Sequence, residues 1–254
     1  MNPLVREAHR QTERIDQETR KFFEQVNSVM SWVPAPLEHL VDPILRNLAL
    51  LDRKLREFWD RVNQLLEQPG DSDRLKQVGE QWVTRVGGAL GDVTGTIGLD
   101  KLRTTIEWEG RAARVYQATV PPQAAGLNAI KDVAGQMRSS LTSLANSIDT
   151  FWIAMGLALA GFAIAIATAV AAAFTVVGIP AAIAVILTAV AGGFALITTT
   201  VLALESHVNT IEVEQAAIRQ KVRDLGSTWA MPNTADLADA SVTDGDGSDW
   251  RPGS

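Results

Sequence analysis

The sequence predicts an all-α protein, an elongated set of helical-bundle and coiled-coil hairpins that carries one hydrophobic hairpin. Apolar residues recur at steps of three and four along almost the whole chain, and the alternation typical of strands is missing. Residues 151–204 contain no Asp, Glu, Lys or Arg. This uncharged block lies between a charged N-terminal arm and an acidic C-terminal tail, in a chain of 254 residues with net charge −6.

The composition argues against enzymatic chemistry. The chain has no cysteine, which excludes disulfides, thiolate metal sites and a cysteine nucleophile. Its three histidines, His9, His39 and His207, are far apart in the sequence, which argues against a metal centre or a Ser–His–Asp triad. The acidic balance argues against nucleic acid, and no phosphate-binding fingerprint is present. We therefore expect no catalytic residues, no metal, no cofactor and no small-molecule substrate.

Residues 1–68 predict an N-terminal helical hairpin. A polar helix with a thin apolar face covers 3–33, and a turn follows over 34–42. A heptad seam then runs from Leu37 to Leu65, which requires a partner helix. Trp32 and Pro34 mark a possible hairpin tip.

Residues 69–150 predict a second helical hairpin. Its first helix contains five glycines between 87 and 98, which predicts either close approach of a neighbouring helix or a break near 95–98. Its second helix starts near Ala112 with a kink at Pro121–Pro122, and its apolar seam continues into the uncharged block.

The segment after the block, 205–227, predicts a return helix. Its apolar seam has the same spacing as the seam before the block, so we expect the two to pair antiparallel as a stalk. Residues 228–254 are rich in Asp, Gly and Ser and predict a disordered acidic tail.

The uncharged block 151–204 predicts a membrane hairpin. Gly178 and Pro180 divide it into 151–177 and 181–204, which as helices measure about 40 and 36 Å, enough to cross a hydrocarbon core of about 30 Å. Trp152 stands at the entry, as an interfacial aromatic does. Small residues that permit close helix contact recur every four positions: Gly161, Ala165, Ala169 and Ala173. The alternative is the buried central hairpin of a soluble bundle, since alanine is only mildly hydrophobic.

A Trp-x-Gly motif, Trp108-Glu109-Gly110, precedes the helix that leads into this block. Glycine gives the backbone freedom to reverse direction between two helices. Two alanines and Tyr116 follow the motif, and the sequence Pro-Pro-Gln-Ala-Ala occupies 121–125. Together these features resemble the WXG (Esx-like) superfamily of type VII secretion proteins, especially long actinobacterial members with a downstream hydrophobic hairpin. The resemblance covers 69–150 well and the organisation of 1–204 loosely.

The resemblance implies a non-enzymatic helical hairpin that packs into a four-helix bundle and is handled by the type VII secretion machinery. It implies an interaction tip at Trp108, Gly110 and Tyr116, and as partner a helical protein or a second copy. Residues 3–66 could take the place of that partner within the chain. Secreted members carry a Tyr-x-x-x-Asp/Glu signal, which is absent here because Tyr116 is the only tyrosine and residue 120 is valine.

Two functions remain open at this point. The first is a type VII-associated protein that binds partner helices and is anchored in a lipid membrane by the 151–204 hairpin. The alternative is a helical pore-forming or membrane-perturbing effector that inserts the same hairpin. The N-terminus has no apolar segment of a Sec signal peptide. We therefore expect the protein at the bacterial cell membrane, or alternatively secreted by a signal-peptide-independent route.

Overall fold

A computed structural model describes residues 2–98, 101, 108–109, 111–226 and 251–252. The helices are α1 (Pro3–Met30), a 3₁₀ helix (Ala35–Leu40), α2 (Val41–Glu67), α3 (Ser72–Gln81), a π-helical segment (Trp82–Gly88), α4 (Ala89–Thr96), α5 (Arg111–Ala172) and α6 (Gly178–Asp224). Two strands of two residues each, β1 (Trp108–Glu109) and β2 (Arg251–Pro252), pair antiparallel. The predicted all-α class is confirmed.

Short-range chemistry explains where the first helices begin and end. The Asn2 side-chain oxygen accepts a hydrogen bond from the backbone N–H of Leu4 at 2.8 Å. Pro3 is the first residue of α1, a position at which a backbone N–H would make no hydrogen bond within the helix, so proline loses nothing there. Gly70 follows α2 with a φ of +73°, a conformation that favours glycine. α5 is continuous through Pro121 and Pro122.

The described chain divides into two compact units. Unit 1 consists of Met1–Asp73 and Leu144–Asn209, and unit 2 consists of Arg74–Ser143 and Thr210–Ser254. The sequence predicts the N-terminal hairpin and the hydrophobic hairpin as separate segments. The structure places them in the same unit.

Unit 1 is a four-helix bundle in which α1 and α2 pack on the apolar parts of α5 and α6 around one hydrophobic core. Phe58 of α2 lies between both of these helices, with its ring centroid 4.9 Å from that of Phe162 and 5.7 Å from that of Phe194. The apolar hairpin is therefore the partner that the heptad seam of α2 requires.

Unit 2 packs α3 and the π-helical segment against α5. A Cβ added at Gly79 would lie 3.3 Å from Cα of Arg138, and one added at Gly87 would lie 3.8 Å from Cβ of Ala134. Of the two predicted alternatives, close helix approach holds at Gly87, while a Cβ at Gly95 would have no neighbour within 4 Å and α4 ends at Thr96, within the predicted break. Residues 210–224 of α6 belong to the same unit, where the Ser140 hydroxyl donates a hydrogen bond to Glu214. The tail predicted to be disordered lies outside the described residues, apart from Arg251 and Pro252.

Candidate membrane-interaction site

The uncharged block forms two long helical segments with strongly apolar surfaces. The most apolar 18-residue windows of α5 and α6 both have a mean hydropathy of 2.3, and only 33% of each window is buried. By length and composition, both helices could cross a membrane. The low buried fraction means that the block has one covered face and one uncovered face.

The covered face packs on α1 and α2. Its residues follow steps of three and four, as a seam between helices requires. On α5 they are Trp152, Met155, Leu159, Phe162, Ala163, Ile166, Ala169 and Ala173. From α1 and α2 the core receives Val5, Ala8, Ile15, Phe22, Val26, Ile44, Leu51, Leu55, Phe58 and Val62.

The opposite face, here called the outer face, consists of large apolar side chains in contact with solvent. They are Ile153, Leu157, Ile164, Phe174, Val177, Val185, Leu196 and Leu202, and they are 40–71% exposed. An open groove of about 440 Å³ runs between α5 and α6 on this face, with Leu157, Gly161 and Leu196 among its lining residues. An exposed apolar surface of this extent is typical of a site for another protein or a membrane.

The helices on the other side of the bundle are highly charged. α1 contains five basic and five acidic residues, and α2 contains the same numbers. Several of these side chains pair along their own helix on exposed surface, among them Arg20 with Asp16 at 2.6 Å and Lys54 with Glu57 at 2.6 Å. Unit 1 therefore has a charged side and an uncharged side.

A buried polar cluster holds the start of the uncharged block to the N-terminus. Asn2 Nδ2 donates to Ser72 Oγ at 2.7 Å and to Asp149 Oδ1 at 3.0 Å, and the Ser72 hydroxyl donates to the same Asp149 oxygen at 2.5 Å. Asn2 and Ser72 are both buried. We call these three residues the basal node. No local sequence pattern predicts this cluster, although Asp149 is the only acidic residue between Asp132 and Glu205.

Trp152 is a structural residue in this conformation. Its side chain is 2% exposed, and its indole N–H donates to the carbonyl oxygen of Pro69 at 2.7 Å. In this structure the indole closes the end of the core beside the basal node, and the predicted position at a membrane surface stays a prediction.

The small residues predicted as one contact ridge are divided between the two faces. Ala169 and Ala173 are fully buried, Ala165 is half-buried, and Gly161 is exposed, with no atom within 4 Å of a Cβ placed there. The ridge rotates from the outer face into the core because a step of four residues exceeds one turn of 3.6 residues by about 40°, which adds up to about 120° between Gly161 and Ala173.

The turn between α5 and α6 depends on glycine. A Cβ at Gly178 would lie 2.0 Å from the carbonyl oxygen of Ala172, so no other residue fits this backbone. Pro180 is half-buried near the start of α6. The chain reverses over 173–177, between the end of α5 and the start of α6, so Gly178 and Pro180 stand in the first turn of α6 and the predicted break lies a few residues earlier.

Two apolar turns of unit 1 are exposed. Trp32, between α1 and the 3₁₀ helix, is 77% exposed, and the nearby Pro34 is half-buried. Phe174 and Val177, between α5 and α6, are each 63% exposed. The segment with Trp32 and Pro34 therefore connects α1 to α2, as a hairpin tip does, and its role in interaction stays a prediction.

The predicted interaction tip is only partly within the described residues. Trp108 lies in β1, where it pairs with Pro252, and Gly110 lies outside the described residues. Tyr116 lies in the first turns of α5 and is 38% exposed. The structure therefore leaves the role of this motif as a prediction.

The described residues contain no group of three or more His, Cys, Asp or Glu side chains that could hold a metal ion. The basal node is a polar cluster with one carboxylate, and it connects three segments of unit 1 by hydrogen bonds. No family model matches the chain, and no curated protein or solved structure is significantly similar to it.

Proposed function

We propose that this is a non-enzymatic, membrane-inserting helical protein that stores its 151–204 hairpin against α1 and α2. The main support is that the two apolar faces of the hairpin differ in unit 1. The hairpin buries one apolar face on two charged helices and leaves the other apolar face, with Ile164 59% exposed, free to meet lipid. We propose the bacterial cell membrane as its location.

Insertion requires the hairpin to leave α1 and α2. These two helices carry twenty charged residues, ten each. Moving one charged side chain to the middle of a bilayer costs about 2.5–3.5 kcal/mol. The intact bundle therefore cannot enter hydrocarbon, whereas the hairpin alone, without a single charge, can span it.

Release of a stored hairpin favours the pore-forming or membrane-perturbing hypothesis over a permanent anchor. A permanent anchor has no need of a charged cover for half of its surface. A protein that passes through water on its way to a membrane gains from such a cover, because burying one face of the hairpin reduces the apolar surface that could aggregate.

The test is a lysine on the outer face. Ile164→Lys places a charge on an exposed position near the middle of 151–177, so folding in water changes by no more than about 0.5 kcal/mol. The same lysine opposes insertion by about 3 kcal/mol, which corresponds to a loss on the order of 100-fold in the fraction of protein inserted into phosphatidylcholine vesicles.

Val213→Lys is the matched control. Val213 is also β-branched and 71% exposed, but it belongs to unit 2. We expect this variant to associate with vesicles as the unaltered chain does. Equal association by the two lysine variants would contradict the proposal, and so would an unaltered chain that shows no affinity for vesicles. Release of an encapsulated dye indicates a pore, and stable insertion without release indicates an anchor.

Unit 2 supports a second candidate function, the binding of a partner helix by a WXG-like hairpin. On α6, Val213 and Val222 are 71% and 51% exposed, so the return helix has an apolar surface that this unit does not cover. We propose a small type VII secretion protein as the partner. Co-expression with a small Esx-like protein tests it, and Val222→Glu should abolish the complex. Separate elution of the two unaltered chains would refute this function.

A further inference from the structure

Two turns of unit 1 form an exposed apolar surface, and we propose that this surface makes the first contact with a lipid bilayer. It consists of residues 31–37 and 173–180, here called the apical cap. The inference rests on the proposed membrane insertion and adds the part of the molecule that starts it and the kind of lipid that it prefers.

Both turns lie at the same end of the bundle. The bonds from Asn2 to Asp149 and from Trp152 to Pro69 bring the start of α1, the end of α2 and the start of the hairpin together. From there α1 extends about 42 Å to its last residue, and α5 extends about 35 Å from Asp149 to Ala172. Since these helices share one core along their length, both chain reversals are at the end remote from the basal node.

The cap has the chemistry of a membrane interface. Trp32 exposes 77% of its surface, and Phe174 and Val177 expose 63% each. An indole combines a large apolar body with one N–H donor, so it is stable at the boundary between hydrocarbon and headgroups. The neighbouring Val33 and Leu37 pack on the core and hold the turn in place.

The charges around the cap identify neutral lipid as the surface that it contacts. Residues 31–37 and 173–180 contain no charged side chain. The first charged residues beyond the N-terminal turn are Glu38 and Asp42, both acidic, and the first basic residue of α2 is Arg46. Anionic headgroups would therefore be repelled slightly at this end, and apolar burial alone drives contact.

The cap is also the end at which the two hairpins separate most readily. The side-chain hydrogen bonds described at the cap are local in sequence. Ser31 Oγ donates to the Ser28 carbonyl oxygen at 2.7 Å, the Pro36 carbonyl oxygen lies 3.0 Å from Nδ1 of the nearby His39, and the Gly178 N–H donates to Thr175 Oγ1 at 3.1 Å. At the other end, the basal node joins the N-terminal arm to the hairpin. Opening therefore starts at the cap, and the hairpin enters the bilayer by its turn.

Site-specific fluorescence tests the order of contact. The chain has no cysteine, so single substitutions give single labelling positions. Ala35→Cys marks the first turn of the cap, Ala171→Cys lies two residues before its second turn, and Thr150→Cys marks the basal end; all three positions are exposed. Each carries an environment-sensitive nitrobenzoxadiazole label and is mixed with phosphatidylcholine vesicles. We expect the emission of both cap labels to shift to the blue before that of the basal label. A basal label that shifts first or simultaneously would overturn the proposal.

Variants of the cap provide the second test. Trp32→Ser and Phe174→Ser should each weaken vesicle association about tenfold, because each removes one large apolar side chain from the contact. Val213→Ser, which alters an equally exposed apolar residue of unit 2, should have no such effect. Adding phosphatidylglycerol to the vesicles should not strengthen association.

The outcomes separate this inference from the proposed function. If the unaltered chain inserts but both cap variants insert equally well, the cap is not the entry point and the proposed function stands. If anionic lipid strengthens association tenfold, basic residues elsewhere make the first contact and the cap proposal fails. If the unaltered chain associates with neither kind of vesicle, both proposals fail.

Discussion

Phe58 is the residue whose removal tests most directly whether α2 restrains the hydrophobic hairpin. It is 1% exposed, and its ring makes edge-on contacts with Phe162 and Phe194, one on each helix of the hairpin. Gly193 lies against the same ring and contributes no side chain that could fill the space left by its loss. Phe58→Ala therefore creates a cavity at the junction of three helices.

The expected cost is about 3–5 kcal/mol in the free energy of unfolding, the range for removing a buried phenylalanine ring. The same contacts are lost when the hairpin separates from α2. If the released state makes no use of Phe58, about 4 kcal/mol shifts the ratio of released to stored hairpin toward release by up to about 1,000-fold. The variant should thus unfold at lower urea concentration and also insert into vesicles faster.

Urea unfolding followed by circular dichroism measures the first effect, and the rate of vesicle insertion measures the second. Ile211→Ala is the control, because Ile211 is 9% exposed in unit 2 and its truncation costs about 2–5 kcal/mol. This control should lose stability without faster insertion. A Phe58 variant that is destabilised but inserts at the unaltered rate, or a control that inserts just as fast, would refute the idea that α2 holds the hairpin back.

Two further substitutions test the ends of the hairpin. Asp149→Asn keeps the shape of the side chain but removes the charge that accepts hydrogen bonds from Asn2 and Ser72. We expect the free energy of unfolding in urea to fall by about 1–3 kcal/mol. Unchanged stability would mean that the basal node contributes nothing. Gly178→Ala places a Cβ 2.0 Å from the Ala172 carbonyl oxygen, which forces the turn to move. The free energy of unfolding should fall by about 1–3 kcal/mol. A melting temperature equal to that of the unaltered chain would contradict the described turn.

Periodicity predicted the helices well because it depends on short-range geometry. The seam from Leu37 to Leu65 lies in α2, and Pro69 and Gly70 stand between α2 and α3. The seam could not identify its partner, since any apolar stripe of the right width satisfies a heptad pattern. That partner is the 151–204 hairpin, about one hundred residues away in the sequence, and the division of the chain into units follows from this one long-range choice.

Side-chain roles were harder to predict than helices. A tryptophan at the edge of an uncharged block fits two roles equally well, an aromatic at a membrane interface and a buried hydrogen-bond donor. For Trp152, only the position of the Pro69 carbonyl, which the sequence does not show, selects the second role in this structure. The basal node depends on Asn2, Ser72 and Asp149, which are separated by 70 and 77 positions and belong to no local pattern. Trp32 was recognisable as a hairpin tip because its signal, a Trp-Val-Pro turn between two amphipathic helices, is local.

The stored arrangement also constrains the inserted state. In the insertion that we propose, the covered face of the hairpin exchanges protein contacts for hydrocarbon, which is equally apolar. The apolar stripes of α1 and α2 lose that partner, and they contain ten buried side chains that range from Ala8 to Phe58. Leaving them in water would cost about 1.5–3 kcal/mol for each of the larger ones, a sum greater than the stability of a typical domain. Insertion of the hairpin therefore has to be coupled to a new cover for α1 and α2. Pairing of these stripes between several inserted copies supplies such a cover, as a pore requires, whereas a single anchored copy leaves them bare unless a separate helical protein binds there.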